Sequence, residues 1–157
     1  MKVTRAGSPS YVEAPTPYGG AEPALFLAGG ITDCPNWQHV AVQLVRQAGI
    51  DWVILNPRRR RAVDEENAVA EQVAWESRHL RLARAILFWF PASTSVQPIA
   101  LYELGWCVAG AKPLAVGAEP GYPRRQDVIL QLSLARAEIA VRSTLAETVA
   151  DLASHER

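Results

Sequence analysis

The chain has 157 residues, 49% of them apolar, and 16 basic side chains balance 16 acidic ones, so its formal net charge is zero. The length and the apolar fraction predict one globular domain, and the neutral charge argues against binding to a nucleic acid polymer while leaving small charged ligands open. Two cysteines without metal-type spacing, three scattered histidines and no apolar run that fits a signal peptide or a bilayer span predict a cytoplasmic protein without a metal cluster or a membrane anchor.

The first 23 residues contain four prolines and three glycines and show no helical or strand period. They are predicted to form a loosely ordered leader before a single domain over residues 24–157. From residue 24 onward, short apolar runs alternate with helical patterns. Five strands are predicted, at residues 24–30, 52–57, 85–91, 113–120 and 138–142. Five helices are predicted, at residues 37–49, 70–83, 99–111, 125–135 and 143–156.

The first and last helices carry the clearest local signals. The first has Val40, Leu44 and Ala48 on one stripe, and the last has Ser143 as a candidate N-cap. Apolar strands that alternate with helices predict a parallel sheet covered on both faces, here a doubly wound, flavodoxin-like α/β fold of about five strands. Ligands of such sheets bind beyond the carboxyl ends of the strands. That rule selects the segments AGGITDCPN, FPASTSVQP and GAEPGYPRR.

One carboxylate, Glu103, stands in a predicted helix that is otherwise uncharged from residue 99 to residue 111. Its neighbours one helical turn away are Ile99, Ala100, Trp106 and Cys107, none of which pairs with a charge. A helix that is apolar on all sides is normally buried, and burial of a carboxylate is costly and raises its pKa. Glu103 is therefore either a nucleophile or acid–base group, or a structural carboxylate paired with an arginine elsewhere in the fold.

Other residues near the predicted ligand edge have a functional and a structural interpretation. Glu76 shares a helical stripe with Gln72 and His79, which indicates either a site or a salt-bridged helix face. The turn after the first strand offers backbone N–H groups to a sugar or phosphate, although many α/β proteins end this strand in a similar way. Its residues are Gly29, Gly30, Ile31, Thr32 and Asp33.

The segment NPRRRR, at residues 56–61, is either a solvated loop or a lid. In the second case Arg58 or Arg59 reaches an anionic group. Trp37 either stacks on a nucleobase or belongs to the core, and Tyr102 either hydrogen-bonds at the site or packs.

Four segments in a fixed order resemble the nucleoside 2-deoxyribosyltransferase-like family. They read LFLAGGITDCPNWQ, NPRR, QVAWESRHLRLARAILFWFP and PIALYELGWCVAGAKPLAVG, and the likeness runs from about Ala24 to about Gln131. The resemblance implies a flavodoxin-like fold and an enzyme that acts on N-glycosidic bonds. It makes Glu103, in the sequence ELG, the nucleophile, and it places the acid–base and nucleoside-binding role on Glu76, where the family usually has aspartate.

Better-known members of the family also carry an aspartate after the third strand that holds the sugar. This chain has ASTSVQ there, so the resemblance assigns that role to Ser93 or to a neighbour, namely Thr94, Ser95 or Gln97. The substrate-binding residues expected in all are Gly29, Gly30, Ile31, Thr32, Asp33, Trp37, Arg58, Ser93 and Tyr102.

The resemblance implies transfer of 2-deoxyribose from one base to another through a covalent glutamyl intermediate, without a cofactor. The expected partners are a nucleoside or nucleotide, a free base and further copies of this chain, in a dimer or larger homo-oligomer. The runner-up activity is hydrolysis of a nucleoside 5′-monophosphate, with Arg58, Arg59 or Arg124 on the phosphate. A nucleotide-binding module without turnover is the third alternative.

Overall fold

The computed structural model describes residues 10–60 and 66–156 and shows a six-stranded parallel sheet flanked by helices. The strands are β1 (Tyr11–Glu13), β2 (Ala24–Gly29), β3 (Val53–Asn56), β4 (Ala85–Phe90), β5 (Leu114–Ala118) and β6 (Val141–Arg142). The helices are α1 (Trp37–Gln47), α2 (Glu66–Leu82), α3 (Pro98–Val108), α4 (Arg125–Ala135) and α5 (Leu145–Ala153), and a 3₁₀ turn, Ser154–Glu156, follows α5. The predicted doubly wound α/β fold is confirmed, with one strand more than the five expected.

The sheet is buried on both faces, and alternate residues of each strand serve opposite sides, as the pleat requires. Phe26 and Phe88 lie on the face covered by α2, α3 and α4. Leu27 and Leu87 lie on the face covered by α1 and α5. The two-sided burial explains why these strands read as continuous apolar runs in the sequence.

The strand order is β1-β3-β2-β4-β5-β6, and every neighbouring pair is parallel. The chain leaves β2 toward β3 on one side and later returns across β2 to β4 on the other. The order therefore reverses between β2 and β4, and their carboxyl ends open the crevice where ligands of such sheets bind. No helix of the described residues has the length and apolarity needed to cross a bilayer.

Two local predictions are wrong. The buried stripe of α1 includes Ala41 and Val45, whereas Val40 is 45% exposed. Residues 40 to 42 are all apolar, so the spacing of apolar residues does not determine which face of α1 is buried. The small Ala41 lets the helix approach the sheet. The N-cap of α5 is Thr144 rather than Ser143, because Thr144 forms a capping box with Glu147.

Residues 10–23 are ordered and packed, unlike the loosely held leader expected from their composition; residues 1–9 lie outside the described part. Strand β1 pairs with β3 at the edge of the sheet. Trp75 Nε1 donates to Thr16 O over 2.7 Å, and Tyr18 N donates to His79 Nε2 over 2.9 Å. A three-residue edge strand is too short to leave a period in the sequence, and the other contacts are non-local.

His79, a residue of α2, is fully buried against this segment, and its ring stacks on that of Trp75 with 4.0 Å between centroids. Its Nδ1 lies 2.6 Å from Trp75 O and so carries the hydrogen, which leaves Nε2 as the acceptor for Tyr18 N. Burial lowers the pKa of His79, with Trp75 O opposing that shift and Arg78 adding to it. The neutral ring is therefore the folded form.

The buried His79 is expected to lower the stability of wild type relative to His79→Gln as the pH drops from 7.5 to 5. The unfolded histidine takes up a proton near pH 6.5, while the buried ring stays neutral, so acid favours the unfolded state. His79→Gln lacks this contribution, so in thermal unfolding the Tm of wild type minus that of His79→Gln should decrease toward pH 5. The exposed His39 gives the control: His39→Gln should keep the wild-type slope, and equal slopes in all three proteins would contradict the assignment.

Candidate functional site

A cavity of about 710 Å³ opens at the carboxyl edge of the sheet. Its walls come from the turn after β2, the loop after β3, one face of α2 and the first half of α3. The apolar part of the wall comprises Val69, Val73 and Ile99, which are more than half exposed around the opening. The cavity therefore lies at the position that the strand order predicts, with an apolar rim.

Two carboxyl groups, Glu76 from α2 and Glu103 from α3, line this cavity and hydrogen-bond to each other. Burial raises the pKa of Glu103 to about 8, and the charge of Glu76 and the hydrogen bond to it act in the same direction. Burial also raises the pKa of Glu76, but Gln72, Glu103 and Arg59 oppose that shift. At neutral pH the pair therefore shares a proton, which lies mainly on Glu103.

The helix that carries Glu103 is less buried than its composition predicts. Ala100, Leu104 and Cys107 form its buried face, whereas Tyr102 is 76% exposed and Trp106 is 47% exposed. Burial raises the pKa of the Cys107 thiol to about 11, with the Glu103 charge adding to the shift, so this thiol stays protonated at neutral pH. The prediction that no side of α3 faces solvent is wrong.

Glu76 is held by a chain of side chains that leads out of the cavity. Gln72 Nε2 donates to Glu76 Oε1 and to Pro57 O, both over 2.8 Å. Arg59 Nε donates to Gln72 Oε1 over 2.5 Å, and Arg59 Nη2 forms an ion pair with Glu71 at 2.8 Å. Four of these residues line the cavity themselves, namely Pro57, Arg59, Gln72 and Glu76.

The turn after β2 lines the cavity through Gly29, Gly30, Ile31 and Thr32. A Cβ on Gly29 would lie 2.1 Å from Trp89 O, and a Cβ on Gly30 would lie 2.4 Å from both Cys34 Sγ and Gln97 Oε1. Gly29 therefore has no room for a side chain, because a backbone oxygen occupies the space, whereas a side chain at Gly30 would require Cys34 and Gln97 to move.

The other predicted substrate-binding residues divide into two groups. Arg58 lines the cavity, but its Nη2 already donates to Ile31 O, Cys34 O and Pro35 O at 2.9 to 3.1 Å. Four lie away from the cavity lining, namely Asp33, Trp37, Ser93 and Tyr102.

Trp37 and Ser93 support the turn after β2 by donating hydrogen bonds to its carbonyl groups. Trp37 is buried, and its Nε1 donates to Gly30 O over 2.9 Å. Ser93 Oγ donates to Asp33 O over 2.6 Å. Of the neighbours weighed against Ser93, the structure brings Ser95 and Gln97 to the cavity.

The predicted site residues do not include Val69 and Val73, and no role is predicted for Gln72. Together with Glu76 they follow the spacing i, i+3, i+4 and i+7, which places them on one face of α2. That spacing was visible in the sequence. The first of these residues, Val69, precedes the predicted start of α2 at residue 70, whereas the helix begins at Glu66.

A doubly wound sheet with two hydrogen-bonded carboxyl groups at its carboxyl edge defines an α/β protein equipped for nucleophilic or acid–base chemistry on a small molecule. The chain belongs to the nucleoside 2-deoxyribosyltransferase-like family, whose sequence model matches residues 22–122. The matched region contains every residue named above as lining the cavity. A comparison with curated proteins gives no match.

Proposed function

We propose that the protein is an enzyme that cleaves the N-glycosidic bond of a 2′-deoxynucleoside and transfers the sugar to another base. The observation that carries the proposal is the hydrogen-bonded pair of Glu76 and Glu103 in a cavity with an apolar rim. Membership of the nucleoside 2-deoxyribosyltransferase-like family supports the same substrate class. A retaining glycosyl transfer uses two carboxyl groups in this way, one as nucleophile and one as acid and base.

The reaction proceeds in two displacements at C1′ of the sugar. In the first, a carboxylate oxygen of Glu103 forms a bond to C1′, the C1′–N bond breaks, and the leaving base takes a proton from Glu76. In the second, a nitrogen of the acceptor base forms a bond to C1′, the glutamyl ester bond breaks, and the proton of the acceptor returns to Glu76. Charges and protons therefore balance over the cycle, and no cofactor takes part.

The first displacement requires the shared proton on Glu76 and the negative charge on Glu103. In the empty site the proton lies mainly on Glu103, so substrate binding has to be accompanied by its movement to Glu76 along the existing hydrogen bond. Val69, Val73 and Ile99 provide the apolar surface that a bound sugar and base would cover, which limits access of water to the glycosyl ester.

The test is to incubate the purified protein with a panel of 2′-deoxynucleosides, with and without an acceptor base, and to separate the products by chromatography. A new nucleoside that depends on the acceptor supports transfer. Free base in the absence of acceptor indicates hydrolysis, and a preference for 5′-monophosphates indicates the runner-up activity. No turnover of either class, with Glu103→Ala as the background control, contradicts the proposal and favours a binding module.

Replacing Glu76 by alanine is expected to lower kcat/KM by at least about tenfold, the low end for a positioned acid–base group. The loss follows because the leaving base no longer receives a proton. Glu76→Asp, which introduces the residue usual in the family, should retain more activity than Glu76→Ala. The control is Glu71→Gln, on the same helix but away from the cavity lining. Equal kcat/KM in Glu76→Ala and wild type would make Glu76 structural.

We further propose that the protein forms a homo-oligomer. Val96, Tyr102 and Trp106, in and just before α3, are between 44% and 76% exposed, which is unusual for large apolar or aromatic side chains so close together in the sequence. Light scattering in solution tests this proposal. A monomer mass at all protein concentrations would contradict it.

A further inference from the structure

Gln72 takes no part in the two displacements. Its side chain nevertheless makes three hydrogen bonds at the site, to Arg59, Pro57 and Glu76. It lies one helical turn before Glu76, and its amide contacts three groups from different parts of the chain. Two of the partners, Pro57 O and Arg59 Nε, belong to the loop after β3. The amide therefore links that loop to the carboxyl pair.

The orientation of this amide follows from its partners. A backbone carbonyl only accepts and a guanidinium only donates, so Pro57 O requires the NH₂ group and Arg59 Nε requires the oxygen. With the amide fixed in this way, the second hydrogen of Nε2 points to Glu76 Oε1 over 2.8 Å. Rotation of the amide by 180° would place two acceptors against each other at both Pro57 and Glu76.

We propose that Gln72 is a positioning residue that holds Glu76 in its ionised form and fixed orientation, so that the proton of the pair rests on Glu103 until substrate binds. This inference rests on the proposed function for its catalytic meaning. A donor that cannot turn into an acceptor stabilises a carboxylate and disfavours the neutral acid beside it. Gln72 thereby prevents the pair from settling with its proton on Glu76 in the empty site.

The other charged and titratable groups around the pair also favour an ionised Glu76 and a protonated Glu103. Arg59, from the loop after β3, favours the ionised form of Glu76, and its ion pair with Glu71 keeps it beside Gln72. On α3, Glu103 donates the shared hydrogen bond, and Cys107 is a neutral thiol. The neutral Gln72 supplies a directed hydrogen bond that the more distant charge of Arg59 does not replace.

The test compares wild type with Gln72→Met, which keeps the length of the side chain and removes the donor. Carboxyl titrations of the ¹³C-labelled empty protein by NMR, with the signals assigned through Glu76→Gln, give the two transitions of the pair. The lower transition should move upward by about one pH unit in Gln72→Met, the size expected for loss of one hydrogen bond to a charged group. Glu71→Gln is the matched control and should move it by much less, since it leaves the Gln72–Glu76 hydrogen bond in place.

The same proteins are then assayed for deoxyribosyl transfer as a function of pH. The acid limb of kcat/KM should move upward with the titration, because that limb reports removal of the first proton from the pair. Gln72→Glu, which keeps the contact with Arg59 but replaces the donor by an acceptor, should move both readouts further. It also serves as the test if Gln72→Met does not fold.

The two readouts separate this inference from the proposed function. An unchanged NMR transition in both variants overturns the inference whatever the activity. A transition that moves while the acid limb stays fixed overturns the positioning role. If wild type turns over no nucleoside, the proposed function fails, and the NMR titration alone still decides whether Gln72 controls the charge of Glu76.

Discussion

Glu103→Gln is expected to lower kcat/KM for deoxyribosyl transfer by about 10⁴-fold or more, the scale of loss for removal of a nucleophile. Glutamine keeps the shape of the side chain, and its amide can donate to Glu76 in place of the shared proton. It has no carboxylate oxygen to form the ester with C1′. Steady-state rates with a 2′-deoxynucleoside and an acceptor base measure the loss.

A folded but inactive variant is required for this interpretation, so the circular dichroism spectrum of Glu103→Gln should match that of wild type. Mass spectrometry of rapidly quenched protein gives a second measure. Wild type should carry the added mass of one deoxyribosyl group, and the variant should carry none. Activity within tenfold of wild type would remove Glu103 from the mechanism.

The same substitution is expected to make the protein more stable at pH 8, by at least about 1 kcal/mol or roughly 2–4 °C in Tm for a domain of this size. The pKa of Glu103 is raised from 4.5 to about 8 by burial and by Glu76. Between those values the folded state holds a proton that the unfolded state has lost, so stability declines as the pH rises through this window. Glutamine does not ionise and avoids that decline.

Thermal unfolding from pH 5 to pH 8.5 measures the difference between the two proteins. It should be small at pH 5, where Glu103 is protonated in the folded state, and grow toward pH 8. The control is Glu71→Gln, which removes a solvent-exposed carboxylate from α2 and should follow the wild-type curve. Parallel curves for wild type and Glu103→Gln would show that the carboxyl pair does not raise the pKa of Glu103.

The sheet and the position of the site were predictable because their signals are local and redundant. Each buried strand is a continuous apolar run, and the alternation with helices fixes a parallel sheet whose ligand edge follows from topology. Glu103 stood out since a single charge in an apolar helix is conspicuous. Its partner Glu76 is identified only by the resemblance in the order of the motifs, because the pattern of its helix face fits a solvent-exposed surface equally well.

The contacts that shape the site were less accessible from the sequence. The role of Gln72 depends on Pro57 O and on Arg59, which are 15 and 13 residues away and reach it only in the folded chain. Trp37 also illustrates the difficulty. An aromatic side chain near the ligand edge can face the ligand or support the backbone behind it, and only its hydrogen bond to Gly30 O shows the second arrangement.

The ordered segment before β2 affects where this protein can be shortened. The family match starts at residue 22, and a boundary drawn there would discard β1 and the partners of Trp75 and His79 on α2. The trimmed chain would expose an unpaired edge of β3, which favours association between copies. It would also leave Trp75 and His79, which stand on either side of Glu76 in α2, open to water. Expression for assay or crystallisation should therefore begin upstream of Ser10.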